Sequence, residues 1–184
     1  MNFIIRKADC KDLRKISYVH VDSWRETYAG IVDKDTLSKL SYGKSQDNWK
    51  FCYERSTHYF YVAEINNAII GFAVGGPTRS EELLHDAEIY ALYVLKVHQK
   101  KGIGKALMLK LAGNFHKERW DDILVWCLQK NKSCGFYEKL GAKHEETKKI
   151  RIGNKPLIEY GYVLDTSDLL KKIDGESDEQ LKIF

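Results

Sequence analysis

No apolar run in this chain approaches the roughly eighteen residues needed to cross a bilayer. The N-terminal stretch MNFIIRKADCKDLRK returns to charged residues after a brief apolar segment, so no secretory signal is expected and a cytoplasmic protein is. The four cysteines, Cys10, Cys52, Cys127 and Cys134, form no C-x-x-C pair and have no histidine at ligand spacing. No metal site is therefore expected, and the thiols should be reduced. Cys134 reads first as a small apolar residue, with a nucleophilic role as the alternative. No strong excess of one charge exists either: the net charge of +4 argues only weakly for a polyanionic partner. Repeats and domain-splitting linkers are absent too.

What is present suits one globular domain. A chain of 184 residues, 43% apolar and 30% charged, can bury a core without covalent staples. FIIRKA (3–8) reads as a strand, and Leu13, Ile16, Val19, His20 and Trp24 then recur at helical spacing, with Asp9 or Asp12 as cap. Further helices are expected over 34–40 and 46–55, a hairpin over 58–65 and 68–76, and a nearly continuous apolar strand over 88–95. Ile103, Leu107, Leu111 and Phe115 predict a helix to about Lys117. A strand (122–128), a short helix (133–140) stopped by Gly141, and a hairpin (143–152 and 157–164) around Gly153-Asn154-Lys155 complete the body. Residues 165–184 carry six acids against three lysines and read as a partly helical or disordered tail. The expected fold is α/β of the α+β kind, a domain over 1–164 followed by that tail.

The strand–turn–helix at QKKGIGKAL (99–107) decides the functional reading. It is no Walker A loop: Gln99 stands where the first glycine should, and Ala106 replaces the magnesium-binding hydroxyl. It is no dinucleotide fingerprint, because Leu107 occupies the third glycine position. A turn remains whose amides, from Gln99 to Gly104, can point at an anion at the N-terminus of the helix beginning near Ile103. Gly102 and Gly104 would admit close approach, and Lys100, Lys101 and Lys105 add charge. Residues 95–119 hold seven basic residues against Glu118 alone. A purely structural turn is the competing reading.

Three segments carry a family resemblance: YALYVLKVHQKKGIGKAL (90–107), NKSCGFYEKLGA (131–142) and SWRETYAGI (23–31). Together they resemble the GNAT superfamily of acyl-CoA-dependent N-acetyltransferases, over roughly residues 3–164. Lys96, Cys134, Gly135 and Ala142 depart from the commonest pattern, although none lies in the glycine turn.

The resemblance implies a central mixed, mostly antiparallel sheet flanked by helices, with splayed central strands forming a wedge for acyl-CoA. The pantetheine arm would meet backbone at Leu92, Tyr93 and Val94. The pyrophosphate would rest on Gln99, Lys100, Lys101, Gly102, Ile103, Gly104 and Lys105, with no metal required. Tyr137 would protonate the departing thiolate, or else be a core aromatic. Asn131 would orient the pantetheine or cap the following helix. Glu88 would take the ammonium proton through water, or be a solvated strand-end carboxylate. Trp24 and Tyr28 would line the acceptor cleft or pack beneath it, and Glu81 and Glu82 would draw a cationic amine. His85 and His98 rank low as proton shuttles.

The expected reaction is acetyl transfer from acetyl-CoA to a primary amine on a small molecule, polyamine, protein N-terminus or lysine. The alternative is a non-catalytic acyl-CoA-binding regulatory module, which would need neither Tyr137 nor Glu88. Nucleic acid is a poor partner, because no aromatics interleave the basic residues of 95–119. No membrane partner is expected, and exposed edge strands could support a homodimer.

Overall fold

The structure, a computed structural model, describes residues 2–171. The chain opens with β1 (Ile4–Lys7), passes a 3-10 turn, and enters α1 (Leu13–Thr27), α2 (Lys34–Ser38) and α3 (Tyr42–Tyr53). A hairpin of β2 (Tyr59–Ile65) and β3 (Ala68–Pro77) follows, then β4 (Ala87–Val94), α4 (Ile103–Lys117) and β5 (Asp122–Leu128). The short α5 (Cys134–Lys139) and a hairpin of β6 (Lys143–Ile152) and β7 (Lys155–Asp165) come last.

Local chemistry explains the boundaries. Asp9 accepts from the Lys11 amide and Asp12 accepts from the Asp9 amide, a reciprocal cap that launches the first helical segment. Ser41 Oγ accepts from the Lys44 amide, so α3 starts at Tyr42 and not at the expected Gln46. The last hairpin turns at Gly153-Asn154, and Lys155 already belongs to β7. Beyond β7, residues 166–171 are helical and Leu169 is buried in the core. The rest of the acidic segment lies outside the described residues.

The strands form one sheet in the order β1-β2-β3-β4-β5-β7-β6. Every neighbouring pair is antiparallel except β4 and β5. α4 covers one face with Ile103, Leu107, Met108, Leu111, Ala112 and Phe115, all buried. α1 and α3 cover the other, where Ile16 and Val19 meet Phe60, Val62, Phe72 and Val74. Each large side chain so buried contributes roughly 1.5–3 kcal/mol, which fixes both helices on the sheet.

The sheet parts at its centre. β4 pairs with β5 only at Ala87–Ile123, Glu88–Leu124 and Ile89–Val125, although both strands run on to Val94 and Leu128. Against β3, Gly75 faces Ile89 while Val74 faces Ala91, so Tyr90 is the extra residue of a bulge. A bulge bends its strand. Here the bend begins where pairing with β5 ends, and the wedge expected between these strands is present.

Candidate active site

The gap between the parted strands is a narrow slot with a cavity volume of about 70 Å³. Its walls are β4 from Ile89 to Val94, β5 from Val125 to Cys127, and Gln99, Asn131, Ser133 and Tyr137. α1 closes the far side with Ser23, Thr27 and Tyr28. Backbone groups of β4 beyond Ile89 have no partner on β5, so the slot offers ladder hydrogen bonds to an extended chain.

Hydroxyls gather at its inner end. Trp24 Nε1 donates to Tyr93 Oη over 2.8 Å, and the Trp24 and Tyr28 rings meet edge to face at 4.6 Å. Trp24 therefore packs behind the wall and braces Tyr93, whereas Tyr28 reaches the slot. Burial pushes the Tyr93 phenol up to about 12 and holds Tyr28 higher still. Burial also raises Tyr137 well above the ordinary tyrosine range, helped by the neighbouring Cys127, Tyr93 and Cys134. All three phenols stay protonated at neutral pH and are potential donors. Ser23 adds a buried hydroxyl with no hydrogen-bond partner among the described residues, in contrast to Ser17, which bonds back to the Arg14 carbonyl. Asn131 Oδ1 accepts from the Ser133 amide at 2.9 Å, so it caps the turn and leaves Nδ2 for the slot it lines.

The glycine turn closes the slot's outer end. Gln99 Nε2 donates to the Val94 carbonyl at 2.9 Å, tying the turn to the last residue of β4. Lys100 and Gly102 both lie in the left-handed region, at φ 59° and 81°. Gly102 is the N-cap of α4 and no side chain caps that end. The first-turn amides therefore face outward unpaired, and a Cβ on Gly102 would meet nothing within 4 Å. Gly104 has a different use: a Cβ there would lie 3.4 Å from the Phe136 ring, so it lets α5 approach α4. Lys101 Nζ donates to the Val97 carbonyl, which staples the turn, while Lys100 is exposed beside it.

The acidic candidates lie elsewhere. Glu88 is buried at 2% exposure and is not a solvated strand end. It accepts from the Arg79 amide at 3.0 Å and from Arg79 Nε at 3.1 Å, and its second oxygen pairs with Arg79 Nη2. The guanidinium lies 4.6 Å from the centre of the Tyr90 ring, at the bulge. Nothing in the sequence announced this pair, since Arg79 sits in a polar connection without periodicity. Glu81 and Glu82 are exposed on that connection, outside the slot's lining. His85 bonds Asp122 at the start of β5, away from the slot. His98 has its Nδ1 buried without a partner among the described residues.

The fold and this geometry can be set beside known proteins. Residues 56–141 match the family model described as an acetyltransferase (GNAT) domain. An N-acetyltransferase of Bacillus subtilis, YuaI, uncharacterized beyond that class, is 38% identical over 135 residues, covering 73% of this chain and 76% of its own. The chain belongs to the GNAT acetyltransferase family. A spermidine N(1)-acetyltransferase of Thermoplasma acidophilum is 27% identical over 153 residues, covering 80% of this chain and 92% of that one. The fold also matches the PaiA N-acetyltransferase from Thermoplasma acidophilum, solved in complex with coenzyme A. Its TM-score is 0.72 at 24% identity, covering 90% of this chain and 99% of that one.

As a GNAT acetyltransferase the protein draws its acetyl group from acetyl-CoA, and the residues present fit that donor. The uncapped N-terminus of α4 suits a pyrophosphate, and the unpaired β4 edge suits an amide-bearing arm. No cluster of three or more metal-ligating side chains occurs among the described residues. No helix there is long and apolar enough to cross a membrane.

Proposed function

We propose that this GNAT enzyme acetylates a primary amine on a small cationic molecule, a polyamine being the best fit. The slot carries this reading, because it ends at hydroxyls that keep their protons. The spermidine-acetylating relative supports the acceptor class, as do the exposed carboxylates of Glu81, Glu82 and Asp86 ahead of β4.

In this reading, the amides of Gln99–Gly104 hold the pyrophosphate, with Lys100, Lys101 and Lys105 supplying charge, and backbone at Leu92–Val94 pairs with the pantetheine arm. Asn131 orients that arm through Nδ2. Since α4 and its turn serve the donor, the amine arrives from the α1 side, past Tyr28 with Trp24 behind it. The neutral amine nitrogen attacks the thioester carbon, the carbon–sulfur bond breaks as Tyr137 gives its proton to the departing sulfur, and the proton shed by the new amide nitrogen restores the phenol. Glu88 receives the ammonium proton through water, once Arg79, whose side chain is 60% exposed, turns aside. Holding both reactants makes a covalent enzyme intermediate unnecessary.

The test is a panel of polyamines, monoamines and peptides, followed by release of the CoA thiol. Polyamines should turn over fastest. Turnover confined to peptides would overturn the acceptor class. Acetyl-CoA binding with no turnover on any amine would favour the non-catalytic module. Glu88→Gln should lower kcat/KM while preserving acetyl-CoA affinity; an unchanged kcat/KM would remove Glu88 from the proton path.

A further inference from the structure

Two cysteines converge on the slot from different elements. Cys127 lies near the end of β5, is 4% exposed and lines the slot. Cys134 opens α5, and its Sγ lies 3.4 Å from the Cys127 sulfur and 3.4 Å from the Leu128 carbonyl oxygen. Cys134 is half-buried, so small reagents can reach it while Cys127 stays covered. Tyr137 follows Cys134 by three residues on the same short helix. Cys10 and Cys52, by contrast, have no sulfur neighbour among the described residues, and Cys10 is exposed.

We propose that Cys127 and Cys134 are a redox-sensitive pair whose disulfide reversibly disables the donor slot. The oxidant is a low-molecular-weight disulfide, RSSR. The Cys134 thiolate attacks one of its sulfurs, forming a Cys134–S–S–R mixed disulfide and releasing the other half as a thiolate. Cys127 then gives up its proton and attacks the Cys134 sulfur. The second RS⁻ leaves and takes up a proton. Two protein thiols are oxidised and one RSSR is reduced to two RSH.

The order of attack follows from burial, which pushes the Cys127 thiol up and leaves it the resolving partner. A disulfide needs its sulfurs about 2.05 Å apart, so they must close by about 1.4 Å from their present separation. That movement withdraws a thiol from the slot wall, pulls the first turn of α5 toward β5, and carries Tyr137 and the capped turn at Asn131 with it.

The experiment treats the full-length protein with glutathione disulfide, with and without saturating acetyl-CoA, and reads it by peptide mass spectrometry and calorimetry. Expected is a cross-linked peptide joining residues 127 and 134 with the loss of two hydrogens. Acetyl-CoA affinity should fall at least tenfold, dithiothreitol should restore it, and bound acetyl-CoA should slow the linkage. Cys134→Ser, which keeps a donor for the Leu128 carbonyl, should show no linkage and retain its affinity under oxidant. Modification of Cys10 is the internal sign that the oxidant acted. Cys10 modified with no 127–134 link overturns the proposal. So does a link that leaves acetyl-CoA affinity unchanged, or a Cys134→Ser protein that loses affinity equally. Failure of the reduced protein to bind acetyl-CoA would instead refute the donor site, and the mass measurement would still report the link.

Discussion

Replacing Tyr137 with phenylalanine separates catalysis from folding at this site. The Tyr137 hydroxyl has no hydrogen-bond partner among the described residues, yet the residue is only 6% exposed. That hydroxyl is open to the slot and not sealed in the core, so removing it forfeits no protein hydrogen bond and should leave stability within about 0.5 kcal/mol of wild type. The ring contacts, with Phe136 at 5.2 Å and Tyr162 at 6.1 Å, survive in the variant. Acetyl-CoA affinity should therefore change little. Turnover should not survive, because positioned acids contribute about 100-fold to 10,000-fold. A 100-fold loss in kcat corresponds to about 2.7 kcal/mol of transition-state stabilisation.

The assays are thiol release for kcat, calorimetry for acetyl-CoA, and thermal unfolding for stability. The pH profile adds a second constraint. Burial holds this phenol well above 10, so its ionisation should cause no fall in kcat below about pH 10. A kcat within threefold of wild type would refute the acid role. A melting temperature several degrees lower would show that the hydroxyl is structural. A basic limb near pH 8 that vanishes in the variant would refute the burial argument.

Gly102→Ala tests the turn. Its φ of 81° costs a non-glycine residue about 1–2 kcal/mol, while the added methyl meets nothing. Acetyl-CoA affinity should fall roughly fivefold to thirtyfold by calorimetry, and unchanged affinity would refute the anion cradle. His20 gives stability a pH dependence. Packed against Trp24, Trp49, Phe72 and Tyr93, its ring is held down at about 4 by burial. The unfolded chain therefore takes up a proton first as pH falls below about 6.5, and stability declines down to about pH 4. Between pH 7 and 5 the loss should be about 2 kcal/mol in urea unfolding. His20→Phe should flatten that slope, and an equal slope in the variant would discount His20.

Periodicity and turn chemistry located every main strand and helix because those signals are local. The four-residue repeat from Ile103 to Phe115 is one side of α4, and the apolar run of β4 is a central strand. The parting of β4 from β5 came from resemblance alone, since the bulge at Tyr90 depends on register with β3 and leaves no mark in composition. Long-range pairings escaped for the same reason. Arg79 on Glu88, Trp24 on Tyr93 and Cys134 on Cys127 join residues whose spacing predicts no contact. Gly104 read as room for an anion because a glycine-rich turn does not say which glycine faces solvent; Phe136 supplies the answer. The tail reads as partly helical or disordered, and its first residues, 166–171, are helical; what the surrounding charges hid is that Leu169 is buried in the core.

The docking of the last hairpin bears on access to the acceptor side. At its tip, Gly153 has φ +60°, and a Cβ there would fall 2.0 Å from Thr36 Oγ1 at the start of α2. Next to it, Lys155 Nζ donates to the Ile31 carbonyl at 2.7 Å. β7 pairs through Glu159–Asp165 with the whole of β5, whose Val125–Cys127 form a wall of the slot, so this tip is the outer end of a ribbon joined to that wall through β5. In the proposed reading, an acceptor that pushes Thr36 or Ile31 outward must strain the ribbon that pairs with that wall. On the acceptor path proposed above, room for the amine and alignment of the thioester would be mechanically joined, and bulky amines would be rejected by loss of alignment as well as by lack of room.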